Sequence, residues 1–271
     1  MRVGCPKEIK NHEYRVGITP AAAREYVHAG HEVLIETQAG SGIGAHDDDY
    51  RKAGATVVDT AAEVFERADM VVKVKEPQPT EWAQLKPGQI LYTYLHLAAD
   101  KAQTEGLMAS GCTAIAYETV TAPEGGLPLL APMSEVAGRL SIQSAARSLE
   151  APAGGEGLLL GGVPGVAPAK VTVIGGGVVG THAAKMAIGL GADVTILDRS
   201  LPRLRQLDDL FGGRARCLYS TVEAIAENVA ASDAVIGAVL IPGASAPKLV
   251  TADMIRTMRK GTVVVDVAID Q

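Results

Sequence analysis

The sequence predicts an α/β protein of two Rossmann-like domains, each built on a parallel sheet. Three observations lead there. Short β-branched apolar runs alternate with helical patterns along the chain. A glycine- and proline-rich stretch, "APAGGEG" followed by "LLLGGVPGVAPAK", interrupts that alternation near its middle. A length of 271 residues, 47% of them hydrophobic and 21% charged, suffices for two buried cores.

In the first half the strands are "RVGC", "HEVLIE", "MVVKVK", "QILYTYL" and "TAIAYET". Between them, "TPAAAREYVHAG" closes on a glycine, as a helix terminus does, and "TAAEVFERA" places Glu63 three residues after Thr60, the spacing of a capping box. The segment "SEVAGRLSIQSAARSLE", residues 134–150, is expected to be one long helix with Ser134 at its cap and Val136, Leu140 and Ala145 on one face. It links an N-terminal substrate domain, residues 1–133, to a dinucleotide-binding domain, residues 134–271, to which the helix itself belongs. No tandem repeat or low-complexity tract is present.

Composition removes several classes of function. A net charge of -6 and a pI near 5.6 leave no basic footprint for nucleic acid, so an anionic substrate requires a local basic site. Cys5, Cys112 and Cys217 are odd in number and widely spaced, which fits neither a disulfide framework nor a zinc site and favours a reducing compartment. The opening "MRVGCPKEIK" reads as a strand and a charged turn rather than a leader, and no uninterrupted apolar span is long enough to cross a bilayer. The expected location is cytoplasmic, with no membrane partner and no metal.

The second half opens on "KVTVIGGGVVGTHAAKMAIGLGADVTILDRS", residues 170–200. "VTVI" reads as a buried strand, "VVGTHAAKMAIGLGA" as a helix ending at glycine, and "DVTILD" as a second strand closing on Asp198. Gly175, Gly177 and Gly180 fill the GxGxxG positions in the strand-turn-helix-strand context that the fingerprint requires. The first glycine permits a tight turn, the second admits a pyrophosphate against the backbone, and the third lets helix and strand pack closely. Backbone N–H groups at the helix start then face the phosphates, where the helix dipole favours negative charge. Asp198, 18 residues past Gly180, can accept from both adenosine ribose hydroxyls and repels a 2′-phosphate, which favours NAD. Arg199 and Arg203 keep NADP open, because an arginine there can accommodate the extra phosphate.

"ARCLYS", "DAVIGAVL" and "GTVVVDVAID" complete five strands where the full dinucleotide fold has six. Ligands of such sheets lie beyond the strand carboxyl ends, so Ser220, Val239, Leu240 and Val267 to Asp270 are cofactor-side candidates.

A nicotinamide site implies hydride transfer, and the first domain then has to supply a carboxylate clamp and a proton-transfer group. Arg15, in "NHEYRVGITP", follows the first strand, where a guanidinium can bind a carboxylate bidentately. Lys75 and Lys73 share strand parity in "MVVKVKEPQP", and position at the strand's carboxyl end favours Lys75. His96 interrupts the apolar run "LYTYLHLAA" at a strand end, where an imidazole titrating near neutrality suits acid–base work. His12, His28, His31, His46 and His182 read as surface residues. Asp270, at the end of the last strand, can steady a developing iminium and orient water.

"PKEIKNHEYRVGITP", "VVKVKEP", "YLHLAA", "AYETV", "LPLLAPMSEVAGRLS", "LLLGGVPGV", "VIGGGVVGTHAAKMAIGLGA", "IGAVLIPGASAPKLV" and "VVVDVAIDQ" together resemble the alanine dehydrogenase family from end to end of the chain. The resemblance implies oxidative deamination of L-alanine to pyruvate and ammonia, and the reverse. Arg15 and Lys75 would hold the substrate carboxylate, His96 would move protons, and Asp270 would complete the site. It further implies NAD contacts from Ser134, Val178, Val179, Asp198, Arg203, Ser220, Val239, Leu240 and Val267, and a homohexamer.

The resemblance also marks a departure. Alanine dehydrogenases continue past the equivalent of "VAIDQ" with a glycine-cysteine segment, a loop near the nicotinamide and terminal helices, none of which is among these 271 residues. An NAD-binding or assembly module without catalysis is therefore the alternative reading. The NAD-binding component of proton-translocating nicotinamide nucleotide transhydrogenase is similar in layout, but is not expected to keep Lys75 together with His96.

Overall fold

The computed structural model of the protein describes residues 1–239 and 248–269. The chain divides into two compact units, Met1–Leu130 and Ala131–Gln271.

In the first unit the order is β1 (Arg2–Cys5), α1 (Pro20–His28), β2 (Glu32–Glu36), α2 (Asp47–Lys52), β3 (Thr56–Val58) and α3 (Ala61–Arg67). There follow β4 (Met70–Val72), α4 (Pro79–Trp82), β5 (Ile90–Thr93), α5 (Lys101–Ser110) and β6 (Thr113–Ala116). The strands form one parallel sheet in the order β3-β2-β1-β4-β5-β6. The five expected strands are present, and β3, three residues of "TVV", joins as an edge strand too short to stand out by periodicity. Thr19 and Thr60 cap α1 and α3, accepting from Ala22 N–H at 3.2 Å and Glu63 N–H at 3.3 Å. One core cluster, with Val3, Val33, Ile35 and Tyr50, packs under α1 and α2; the other, with Phe65, Val71, Leu91 and Leu107, packs under α3 and α5. Each such large apolar side chain gains roughly 1.5–3 kcal/mol by burial. Strand order reverses between β1 and β4, which opens a crevice at their carboxyl ends.

In the second unit α6 (Ala131–Ser148) precedes β7 (Lys170–Ile174), α7 (Val178–Gly189), β8 (Asp193–Asp198), α8 (Leu201–Phe211) and β9 (Ala215–Tyr219). α9 (Val222–Ala231), β10 (Ala234–Gly237), α10 (Ala252–Thr257) and β11 (Val263–Asp266) complete it. Its sheet is also parallel, in the order β11-β10-β7-β8-β9, with the reversal between β7 and β10. Ile142, Val171, Val173, Ala183, Ile196 and Ile236 are among its buried core.

Two expectations about the linking helix are corrected. Ser134 is the fourth residue of α6 rather than its cap, because Pro132, with a fixed φ and no N–H to place, suits the first turn and lets the helix begin earlier. Val136 and Leu140 are exposed, and the buried face carries Gly138, Ser141, Ile142 and Ala145. Close approach decides this: a Cβ at Gly138 would collide with the carbonyl oxygen of Val179 in α7. Among the described residues no helix is long and apolar enough to cross a membrane, and no group of three or more His, Cys, Asp or Glu could hold a metal ion.

Candidate active site

The glycine turn between β7 and α7 has the geometry its three positions require. Gly175 sits at φ 104°, a left-handed conformation that glycine adopts without strain. A Cβ at Gly180 would collide with the carbonyl oxygen of Gly175, whereas one at Gly177 would meet nothing within 4 Å. The open side of the turn is thus at the second glycine, where a phosphate has to approach. Gly177 caps α7 without a side-chain hydrogen bond, so among the described residues no side-chain oxygen caps the N–H groups at the start of the helix.

Beside this turn lies a cleft of about 450 Å³ at the carboxyl ends of β7 to β10. Its lining includes Gly175, Asp198, Ser220 and Val239, four of the expected cofactor residues, together with Arg199 and Tyr219. Asp198 accepts from Gly176 N–H at 2.7 Å through Oδ2 and from Ser200 N–H at 2.8 Å through Oδ1, which ties the end of β8 to the turn. An open second glycine, an uncapped helix start and a carboxylate at the cleft fit the phosphates and ribose of a dinucleotide.

Arg203 is tied to the turn itself. Its Nε donates to Gly176 O at 2.7 Å, Nη2 to Thr181 Oγ1 at 2.7 Å and Nη1 to Gln206 Oε1 at 2.9 Å. All three nitrogens serve protein acceptors, so Arg203 braces the turn, and of the two arginines that kept NADP open Arg199 lines the cleft. Val267 follows β11 and donates its N–H to Gly237 O at 3.0 Å, and Ser134 lies in the first turn of α6; neither lines the cleft. Leu240 and Asp270 lie outside the described residues.

In the first unit, Arg15, Lys75 and His96 follow β1, β4 and β5, on the carboxyl side of adjacent strands. Arg15 is gripped by Glu13, whose Oε1 accepts from Nε at 2.8 Å and from Arg15 N–H at 2.9 Å while Oε2 accepts from Nη2 at 2.6 Å. The Arg15 hydrogen bond holds the Glu13 carboxyl below the usual range against the effect of burial, and Lys75 adds to the same effect from nearby. His96 stacks on Tyr94 with ring centroids 6.1 Å apart, and Tyr94 donates its hydroxyl to Leu129 O at 2.6 Å. Among the described residues His96 is one of three non-glycine residues with positive φ, at 50°. Glu118 accepts its N–H at 2.7 Å and holds that uncommon backbone in place.

Burial separates the two lysines. Lys73 is 1% exposed and donates to Glu8 at 3.1 Å and Glu81 at 2.7 Å. Glu8 also accepts from Val74 N–H at 2.7 Å and Lys75 N–H at 3.4 Å, so Lys73 belongs to a structural triad that fixes the backbone carrying Lys75. His182, expected at the surface, is corrected as well: its side chain is 12% exposed, with Nδ1 accepting from Arg139 Nε at 3.2 Å and Nε2 3.7 Å from Glu135. It fills the seam that Gly138 opens between α6 and α7.

Glu13, Tyr94 and Glu118 were not singled out from the sequence. Tyr94 had a usable signal, since it shares strand parity with His96 two residues on. The carboxylates had none, because their roles depend on partners brought in by folding.

Comparison with known proteins gives a consistent set of relatives. The family described as alanine dehydrogenase/PNT, N-terminal domain, matches residues 4–137, and its C-terminal domain matches residues 141–271. An alanine dehydrogenase of Halomonas elongata is 59% identical over the whole chain, which spans 73% of that protein. A solved L-alanine dehydrogenase superposes with a TM-score of 0.94 at 57% identity, covering 100% of this chain and 75% of its own. The crystal structure of transhydrogenase from Sinorhizobium meliloti follows at TM-score 0.84 and 29% identity, covering 100% and 79%.

Proposed function

This chain belongs to the alanine dehydrogenase/PNT family, and on that premise we propose that it is an oxidoreductase that interconverts L-alanine with pyruvate and ammonia using NAD. The observation that carries the reading is the convergence of Arg15, Lys75 and His96 on the carboxyl side of β1, β4 and β5. A guanidinium and an ammonium there suit a small carboxylate, and an imidazole beside them suits proton movement. The transhydrogenase relative is markedly less similar, which leaves amino-acid oxidation as the better supported chemistry.

In this reading Arg15 and Lys75 hold the substrate carboxylate and so fix where Cα lies, a contribution made through positioning. Bound NAD supplies the acceptor for the hydrogen on Cα. His96 takes a proton from the attacking water and returns one to the departing amine, and Asp270 is a further proposed catalytic residue. Gly177, the start of α7 and Asp198 hold the pyrophosphate and adenosine ribose, with Ser220, Val239 and Leu240 closing on the adenosine side and Ser134, Val178, Val179 and Val267 as further contacts.

Three unpaired cysteines suit a reducing cytoplasm, and a homohexamer is proposed on the resemblance alone. The deciding experiment is NADH formation at 340 nm from L-alanine and NAD at alkaline pH, with calorimetric NAD binding on the same sample. Turnover supports the enzyme; binding without turnover makes the chain a nucleotide-binding module.

A further inference from the structure

A buried carboxylate lies on one side of the His96 ring. Glu76 follows β4 and pairs through Oε1 with Lys10. Its Oε2 is buried and has no hydrogen-bond partner among the described residues, and it stands 3.6 Å from His96 Nδ1. A buried carboxylate oxygen without a donor is destabilising. The nitrogen placed to supply that donor is Nδ1, and hydrogen bonds of this kind are often long before substrate arrives.

Among the described residues, groups from several elements face His96: Glu76 after β4, Lys10 behind it from the segment after β1, Tyr94 at the end of β5, and Glu118 after β6 on the backbone N–H. Glu118 sets the backbone and Tyr94 covers one ring face. What neither can set is which nitrogen carries the proton, because neither meets the ring edge with a charged acceptor.

Resting on the reading of His96 as the acid–base group, we propose that Glu76 is its positioning residue. The carboxylate accepts the Nδ1 proton, so that Nε2 is the nitrogen turned toward the substrate. The logic is that of any catalytic imidazole whose tautomer is held by a carboxylate. Lys10 places the opposite charge on the other oxygen of Glu76. When Nε2 takes a proton, the imidazolium forms beside an anion already in place.

The test combines a spectrum and a rate profile. In the full chain labelled with ¹⁵N-histidine, the His96 signals are identified by their loss in His96→Gln. Neutral His96 is expected as the Nδ1–H tautomer; an Nε2–H tautomer overturns the proposal, whether or not alanine is turned over. Glu76→Gln is expected to lower kcat about 10- to 100-fold, part of what a positioned acid–base group contributes. It should leave NAD affinity unchanged and move the acid limb of kcat/KM to lower pH. An unaltered pH profile overturns the proposal. If Glu76→Gln does not fold, the wild-type spectrum decides. A wild-type chain that binds NAD but leaves alanine unchanged counts against the dehydrogenase reading, while the tautomer measurement still tests Glu76.

Discussion

The guanidinium of Arg15 meets the carboxylate of Glu13 edge to edge, with Nε 2.8 Å from Oε1 and Nη2 2.6 Å from Oε2. This pairing fixes the plane of the guanidinium before any substrate is present. The Arg15 side chain is 43% exposed while that of Glu13 is 6% exposed, so the carboxylate is the fixed partner that aligns the guanidinium, and loss of that alignment should fall on binding. Glu13→Ala is expected to raise KM for pyruvate roughly 5- to 10-fold, equivalent to about 1–1.4 kcal/mol, with little change in kcat. A steady-state titration with pyruvate checks it, and an unchanged KM would mean that Arg15 is aligned without Glu13.

Asp198 has two duties, since the carboxylate that reaches Gly176 and Ser200 N–H groups also lines the cleft. Asp198→Ala is expected to weaken NAD binding about 10- to 100-fold, the loss of a charge-assisted hydrogen bond worth roughly 1.5–3 kcal/mol, and to narrow the preference for NAD over NADP. Calorimetry with both nucleotides measures this. Equal affinity in variant and wild type would place the adenosine ribose elsewhere.

Lys73 is the buried centre of two carboxylates. Burial is the largest influence and pushes its ammonium down, but Glu8 and Glu81 outweigh it and hold the group above its ordinary value. Lys73→Met leaves both carboxylates without their cation and is expected to destabilise the first unit by roughly 3–5 kcal/mol, seen as a lower urea midpoint. A raised lysine contributes in full below the unfolded value near 10.4 and loses that contribution as pH rises through the folded value, so the part of wild-type stability owed to Lys73 should be lost in strong alkali.

His182 has the opposite dependence. Burial lowers its pKa, more than Glu135 raises it, and Arg139 donates to Nδ1, which requires that nitrogen to be unprotonated. An unfolded histidine takes its proton near 6.5, so stability is present above that pH and falls as pH drops from there toward the folded value. Thermal melts between pH 7 and 5 should show the second unit losing stability, and His182→Gln should flatten that slope. A slope identical in the variant would assign the acid sensitivity to other groups.

Much of the fold was legible because its signals are local. β-branched runs mark β1, β2, β4 and β5, and the glycine spacing at Gly175, Gly177 and Gly180 records the shape of one turn in three residues. The face of α6 was misread because small residues bury it: Gly138, Ser141 and Ala145 carry almost no hydropathy signal, while Val136 and Leu140 carry a strong one and lie exposed.

By itself the sequence determined two parallel α/β units and a dinucleotide turn in the second, and it offered Arg15, Lys75 and His96 as candidates in the first. The units and the turn rest on patterns a few residues long, within reach of backbone geometry, whereas the roles of the three candidates come from the family resemblance. Only the tertiary structure decided that Lys73 is a buried structural cation, that Arg203 braces the turn from behind, and that Glu76 stands beside the His96 ring. The reason is physical: a carboxylate's role is set by the charge it faces, and Glu8 meets Lys73 across 65 positions of chain, as Lys10 meets Glu76 across 66.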